Sequence, residues 1–328
     1  MKKTLVALAA IAATGGAFAQ ATMTGGVAYG WYQNTSTAGV TASGLGADGN
    51  HIDFAIKEEM EGGNSITAAI GIDLGLESGA ASAGRDFVLT VKTAAAGSFK
   101  FASARGADYL SGGIAAVGSD YENDNTGTSG IFSTRANLDS LTWSMPISAE
   151  MTVSVSYVEP TTDAGVGAGA SGSAYNTADY QRYNQYSLTY KSGPLVADVG
   201  YRTFDQANAA TANSATRNRG SASYDLGAAK IGAGWSQTTA TYGNTTTDTL
   251  VGVSIPMGQL TLSGQLGNRT KAGNSSAASD TNYSSKIVNA VYNLSKRTDL
   301  FAGYKTWDVS SSATSTPTTM WAGIAHSF

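Results

Sequence analysis

The chain has 328 residues, 20 basic and 24 acidic side chains, a formal net charge of -4, 40 glycines, 5 prolines and no cysteine. Without cysteine there is no disulfide framework, thiol catalysis or thiolate metal site, and an acidic balance with only 13% charged residues excludes a nucleic-acid-binding surface. No later stretch is apolar for the ~18 residues that mark a spanning helix, so a membrane would have to be crossed by strands, because only helices and closed barrels satisfy every backbone group in lipid.

In chain order, Lys2 and Lys3 form a charged n-region, Leu5 to Ala13 an apolar h-region and Ala17-Phe18-Ala19 an A-x-A cleavage site. Residues 1–19 therefore read as a signal peptide and residues 20–328 as one mature domain. A membrane anchor is the alternative, but the apolar run falls short of the ~20 residues a spanning helix needs. Removal of Lys2 and Lys3 leaves 18 basic against 24 acidic side chains, a net of -6.

Alternating segments follow, separated by Gly/Ser/Thr/Asn/Asp stretches: Met23 to Tyr32, Ile52 to Glu59, Ser65 to Leu74, Phe87 to Val91, Phe99 to Arg105, Arg135 to Ser144, Met151 to Val158 and Tyr183 to Lys191. Then come Leu195 to Phe204, Arg217 to Leu226, Lys230 to Gln237, Thr249 to Ile255, Gln259 to Asn268, Lys286 to Asn293, Asp299 to Trp307 and Met320 to Phe328. About sixteen segments near the ~10 residues of a tilted membrane strand predict an all-β, sixteen-stranded antiparallel transmembrane barrel. The last segment stops on Phe328, with apolar groups at most alternate positions behind it.

Connections alternate in length. Glu61 to Gly63, Ala94 to Gly97, Ser192 to Pro194, Pro256 to Gly258 and Ser295 to Thr298 are short. Asn34 to Asn50, Gly106 to Thr134, Pro160 to Arg182, Asp205 to Thr216, Thr270 to Asn282 and Ser310 to Thr318 are long. Tight periplasmic turns and long external loops give that pattern. A β-solenoid or a Gly/Ser-rich adhesin would show a similar composition, yet no fixed period of 20 to 50 residues is present.

Four blocks carry a family likeness: His51 to Gly63, Arg135 to Asp139 with Trp143 to Pro146, Tyr292 to Tyr304, and Gly323 to Phe328. In this order they resemble the Gram-negative general porins, most closely the beta-proteobacterial branch. The resemblance implies a homotrimer in outer-membrane lipid and lipopolysaccharide, passing small hydrophilic solutes and ions through a water-filled pore. It also implies that the third external loop folds inward as the constriction, and that the barrel-assembly machinery reads Phe328.

The third connection, Gly106 to Thr134, holds Asp108, Asp120, Glu122 and Asp124 between Arg105 and Arg135. If it folds inward, acids facing bases across a narrow pore would set up a transverse field; the same acids would equally serve a solvated surface loop. By alternation, lipid-facing Val199 and Tyr201 put Asp198 and Arg202 in the lumen, Ala222 and Tyr224 put Arg217, Arg219 and Ser221 there, and Leu262 and Leu266 put Gln259, Gln265 and Arg269 there. Lys57 is inward by the same count, while Arg217 and Arg269 stand near loop mouths. Arg105 shares the parity of Phe99 and Phe101, so only a bulge would turn it inward.

His51 and Ala55 stand where such porins usually carry an inward Arg and Lys, and Ser103 where an Arg often precedes the third loop. A thinner basic side and the net of -6 predict weak cation preference. Tyr29, Trp31, Tyr32, Trp143, Tyr157, Tyr190, Tyr201, Tyr224, Tyr292, Tyr304 and Trp321 read as interfacial girdles, with a sugar-guiding aromatic ladder, and hence a substrate-specific channel, as the alternative.

An enzyme is not expected. Of the two histidines, only His51, with Asp53, has an acidic neighbour, and no serine is marked out to complete a triad. Gly165, Gly167 and Gly169 lack the strand and helix of a phosphate loop. No cofactor is expected; a weak Ca²⁺ site among Asp120, Glu122 and Asp124 competes with simple solvation of those acids.

Overall fold

A computed structural model describes residues 20–74, 83–106, 109–117, 136–160, 182–205, 214–241, 243–273, 281–309 and 316–328. The leader expected at 1–19 lies outside them.

Sixteen strands form a closed barrel in which each pairs antiparallel with its sequence neighbours and β1 closes on β16. They are β1 (Gln20–Thr35), β2 (Thr41–Met60), β3 (Asn64–Asp73), β4 (Ala83–Thr93), β5 (Gly97–Gly106), β6 (Ala136–Pro146), β7 (Met151–Pro160) and β8 (Tyr183–Ser192). The second half comprises β9 (Leu195–Phe204), β10 (Ser214–Asp225), β11 (Lys230–Ala240), β12 (Thr245–Met257), β13 (Leu260–Ala272), β14 (Thr281–Asn293), β15 (Thr298–Val309) and β16 (Thr318–Ser327). Closure leaves no edge strand, so the wall meets the demand that lipid places on every backbone donor and acceptor.

Alternation sets which side chains reach lipid. On β9 Val199 and Tyr201 are exposed and on β12 Val251, Val253 and Ile255, each two residues from the next, and on β16 Met320 and Ile324 share that parity four residues apart. The intervening positions face inward and are rich in small polar groups, among them Ser156, Ser221, Ser223, Ser236, Ser263 and Ser285. Pairing on both sides, with register shifts only near Gly26, Ile70 and Ser214 among the described residues, locks this register, since a one-residue slip would turn every apolar side chain into the lumen.

At one end the turns are tight. Glu61–Gly63 forms a single 3-10 turn, and Gly193, at φ 53°, starts the two-residue link from β8 to β9 that a hairpin with positive φ requires. Gly25 and Phe328 exchange two backbone hydrogen bonds of 3.1 Å, so the last residue completes the β1 to β16 closure. The Phe328 ring lies on the outer face over Gly25, where any Cβ would meet it at 2.6 Å.

Two expectations change. Residues 41–50, read as part of a long loop, belong to β2 and pair with β1 from Ala28 to Thr35, leaving only 36–40 as the connection. Trp321 and Tyr32, read as girdle residues, face inward: Trp321 is 2% exposed and packs with Phe301, Ile287 and Val291, with Tyr32 against that cluster.

Candidate pore lining

The inner face of β9 and β10 concentrates positive charge. Arg202 and Arg217 are direct cross-strand partners, and Arg219 stands one inward position further along β10, opposite Gly200. Like charges placed directly opposite each other destabilise a sheet; here Arg202 and Arg217 each donate to an uncharged acceptor beside an aromatic ring, and Arg219 lies on a ring. Arg202 donates from Nη2 to Gln185 Oε1 at 2.8 Å and lies 3.7 Å from the Tyr183 ring centroid. Arg217 donates from Nε to Thr238 Oγ1 at 2.6 Å, beside Phe204 at 5.7 Å. Arg219 lies 4.1 Å from the Tyr109 ring, in cation–π range. A Cβ on residue 200 would sit 2.6 Å from Arg219 Nε, so Gly200 makes the room.

Asp198 is inward as the alternation requires. It accepts a hydrogen bond from the Ser221 hydroxyl and another, of 2.9 Å, from the Tyr109 hydroxyl. Burial is the main cause that pushes the Tyr109 phenol up to about 12, with the nearby Asp198 charge adding to it, so at neutral pH the phenol stays a donor.

Tyr109 belongs to the third connection. Its described part, 109–117, lies against the inner wall of β9 to β12: Leu110 and Ala115 pack on Leu250, with Tyr283 and Trp307 at the edge of the cluster. Asp108, Asp120, Glu122, Asp124 and Arg135 lie outside the described residues, and of Arg105 only the backbone is described. Backbone pairing of β5 with β6 runs unbroken from Ser98 to Gly106.

Arg269 is inward on β13 and opposes Asp248 on β12. Nε and Nη2 reach the two carboxylate oxygens at 2.5 and 2.9 Å, with both side chains over nine-tenths buried. This forked pair is strong and directional, and it neutralises Arg269 within the wall. Sequence reasoning missed Asp248 because the assigned segment stopped at Thr249; one further step of the alternation finds it. Lys305 on β15, 5.6 Å from the Trp307 ring, was missed too. Lys57 is inward near the tight-turn end, 2.5 Å from Glu59, with side chains 50% and 63% exposed. Gln259, expected inward, sits in the turn before β13 and accepts a 2.7 Å bond from Tyr292 on the outer face. His51 and Asp53 meet at 3.4 Å.

A family profile described as Gram-negative porin matches residues 4–312. The chain belongs to the Gram-negative porins. No curated protein matches it by sequence. Among solved structures, this porin is similar to the anion-selective porin from Comamonas acidovorans, at 17% identity and a TM-score of 0.67 over 94% of this chain and all of that one. It is also similar to the trimer form of OmpT, an outer membrane protein of Vibrio cholerae, at 11% identity and 0.66 over 94% and 99%. A mutant of the Rhodopseudomonas blastica porin matches at 13% and 0.61 over 94% and 100%. At such identities the likeness carries the fold alone. Family and barrel together make the porin a passive outer-membrane channel, not an enzyme.

Proposed function

We propose that this porin is a general diffusion channel, a homotrimer set among outer-membrane lipid and lipopolysaccharide, through which small hydrophilic solutes and ions pass down their gradients. One observation carries the reading: a closed sixteen-stranded wall whose inner face gathers Arg202, Arg217, Arg219, Asp198, Arg269 and Asp248 from β9 to β13, beside a segment of the third connection. In this reading the whole connection, 106–134, narrows the lumen. Its acids Asp108, Asp120, Glu122 and Asp124 face the wall arginines, with Arg105 and Arg135 at its ends, and the field between them orders polar solutes. An aromatic sugar ladder is the poorer fit, because the inward rings of Tyr183, Phe204 and Trp321 are buried in packing.

The finer reading is weak cation preference. It rests on the mature excess of 24 acids over 18 bases and on the neutralisation of Arg269 by Asp248. A zero-current potential measured in a salt gradient should carry the sign of mild cation selectivity; a clear anion sign would overturn it. We further assign the outward Phe328 ring, docked over Gly25, to recognition by the barrel-assembly machinery. Deletion of Phe328 should abolish the heat-modifiable band of folded barrel in outer membranes, and normal yield would refute the assignment.

A further inference from the structure

Three lumen-facing glycines, Gly232 and Gly234 on β11 and Gly252 on β12, lie under the third connection. A Cβ at Gly232 would run into the Ala115 carbonyl oxygen and come within 2.8 Å of Val117. At Gly234 it would stand 2.7 Å from Leu110 Cδ2 and 2.8 Å from Ala115 Cβ, and at Gly252 3.2 Å from Val117. The segment thus rests on bare backbone. Leu110 and Ala115, 1% and 0% exposed, fill the contact, and the Tyr109 to Asp198 bond ties one end.

We propose that these glycines are positioning residues that set how far residues 109–117 stand off the wall, and through them the width of the pore. This inference rests on the diffusion reading above. The direction of the effect follows from which partner can yield. β11 and β12 are hydrogen-bonded along both edges, to β10, to each other and to β13, so the wall is fixed. The turn-rich segment 109–117 carries no such ladder, so an added side chain moves it toward the lumen axis and narrows the opening. Alanine at Gly232 should narrow it, and valine more so.

The test uses the full-length trimer in planar bilayers and liposomes. Gly232→Ala and then Gly232→Val should lower single-channel conductance stepwise and shift the cut-off in sugar-driven liposome swelling to smaller sugars, while the heat-modifiable band stays intact. Gly264→Ala is the control, because its Cβ meets nothing closer than 3.7 Å. A second arm needs no conductance. In this cysteine-free chain, Ala115→Cys with Gly234→Cys should form a disulfide on oxidation and run faster on a denaturing non-reducing gel, since the two Cβ atoms need to part by only about 1 Å to reach disulfide spacing. Unchanged conductance and cut-off in the glycine series, or a folded double mutant that fails to crosslink, would overturn the seat. A wild-type barrel that does not conduct would sink the diffusion reading and the aperture role with it, and the crosslink alone would then judge where the segment lies.

Discussion

The inner wall of β9 to β13 and the inner wall of β14 to β16 enclose one lumen but are made of different chemistry. The first carries the cross-strand arginines 202 and 217, the Asp248 to Arg269 fork and the glycines beneath residues 109–117. The second carries Ile287, Val291, Phe301 and Trp321, against which Ala28 and Tyr32 of β1 pack. There each aromatic ring lies on a glycine of the paired strand, Trp321 over Gly303 and Phe301 over Gly323. A ring covering a glycine replaces the packing that residue lacks and stiffens the pair. That stiffening falls beside the β1 to β16 closure, where a barrel has to join its two chain ends. The inner face therefore divides its labour unevenly: β9 to β13 carry the arginine group and most of the contact with residues 109–117, while β14 to β16, apart from Lys305 and the edge contacts of Tyr283 and Trp307, hold the ring shut.

Substitutions should separate the two sides. Trp321→Ala removes the largest ring of the closure cluster and should cost about 3–5 kcal/mol; the unboiled band should convert at a clearly lower temperature, with little change from exposed Tyr201→Ala. Asp248→Asn breaks a buried charge pair and should cost about 2–3 kcal/mol. It should also shift the zero-current potential toward anions, because Arg269 loses its countercharge. Tyr109→Phe should cost about 1 kcal/mol while leaving the closure side untouched. The pH dependence has a definite sign: the Tyr109 phenol is raised by burial, so its bond to Asp198 is fully present below pH 10 and is lost as pH climbs through about 12. Ultraviolet titration should lose one high-titrating phenol in the phenylalanine variant. Least of all, Glu59→Gln cuts an exposed pair and should change stability by about 0–1 kcal/mol.

Strand number and facing were legible because period-two alternation is a direct image of lipid outside and lumen inside. Asp198, Arg202, Arg217, Arg219, Arg269 and Lys57 all stand on the inner side that the count assigned. Trp321 was misread by residue type. Its parity, opposite to Met320 and Ile324, already pointed inward, and register overrides the preference of indoles for membrane interfaces. Residues 41–50 were misread because Gly, Ala, Asp and Asn have weak strand propensity, which reflects fit to a half-buried surface, whereas β2 is held there by its ladder to β1. The seat glycines were illegible for a different reason: their role is defined by a segment more than a hundred residues away in sequence, and no local pattern records that approach.

Single-channel recording of the purified protein in a planar bilayer tests the central claim most directly. A water-filled lumen narrowed by a seated loop should give discrete ohmic steps whose size rises in proportion to bulk salt conductivity. A folded, heat-modifiable barrel that gives no steps, or steps that saturate at low salt, would contradict it.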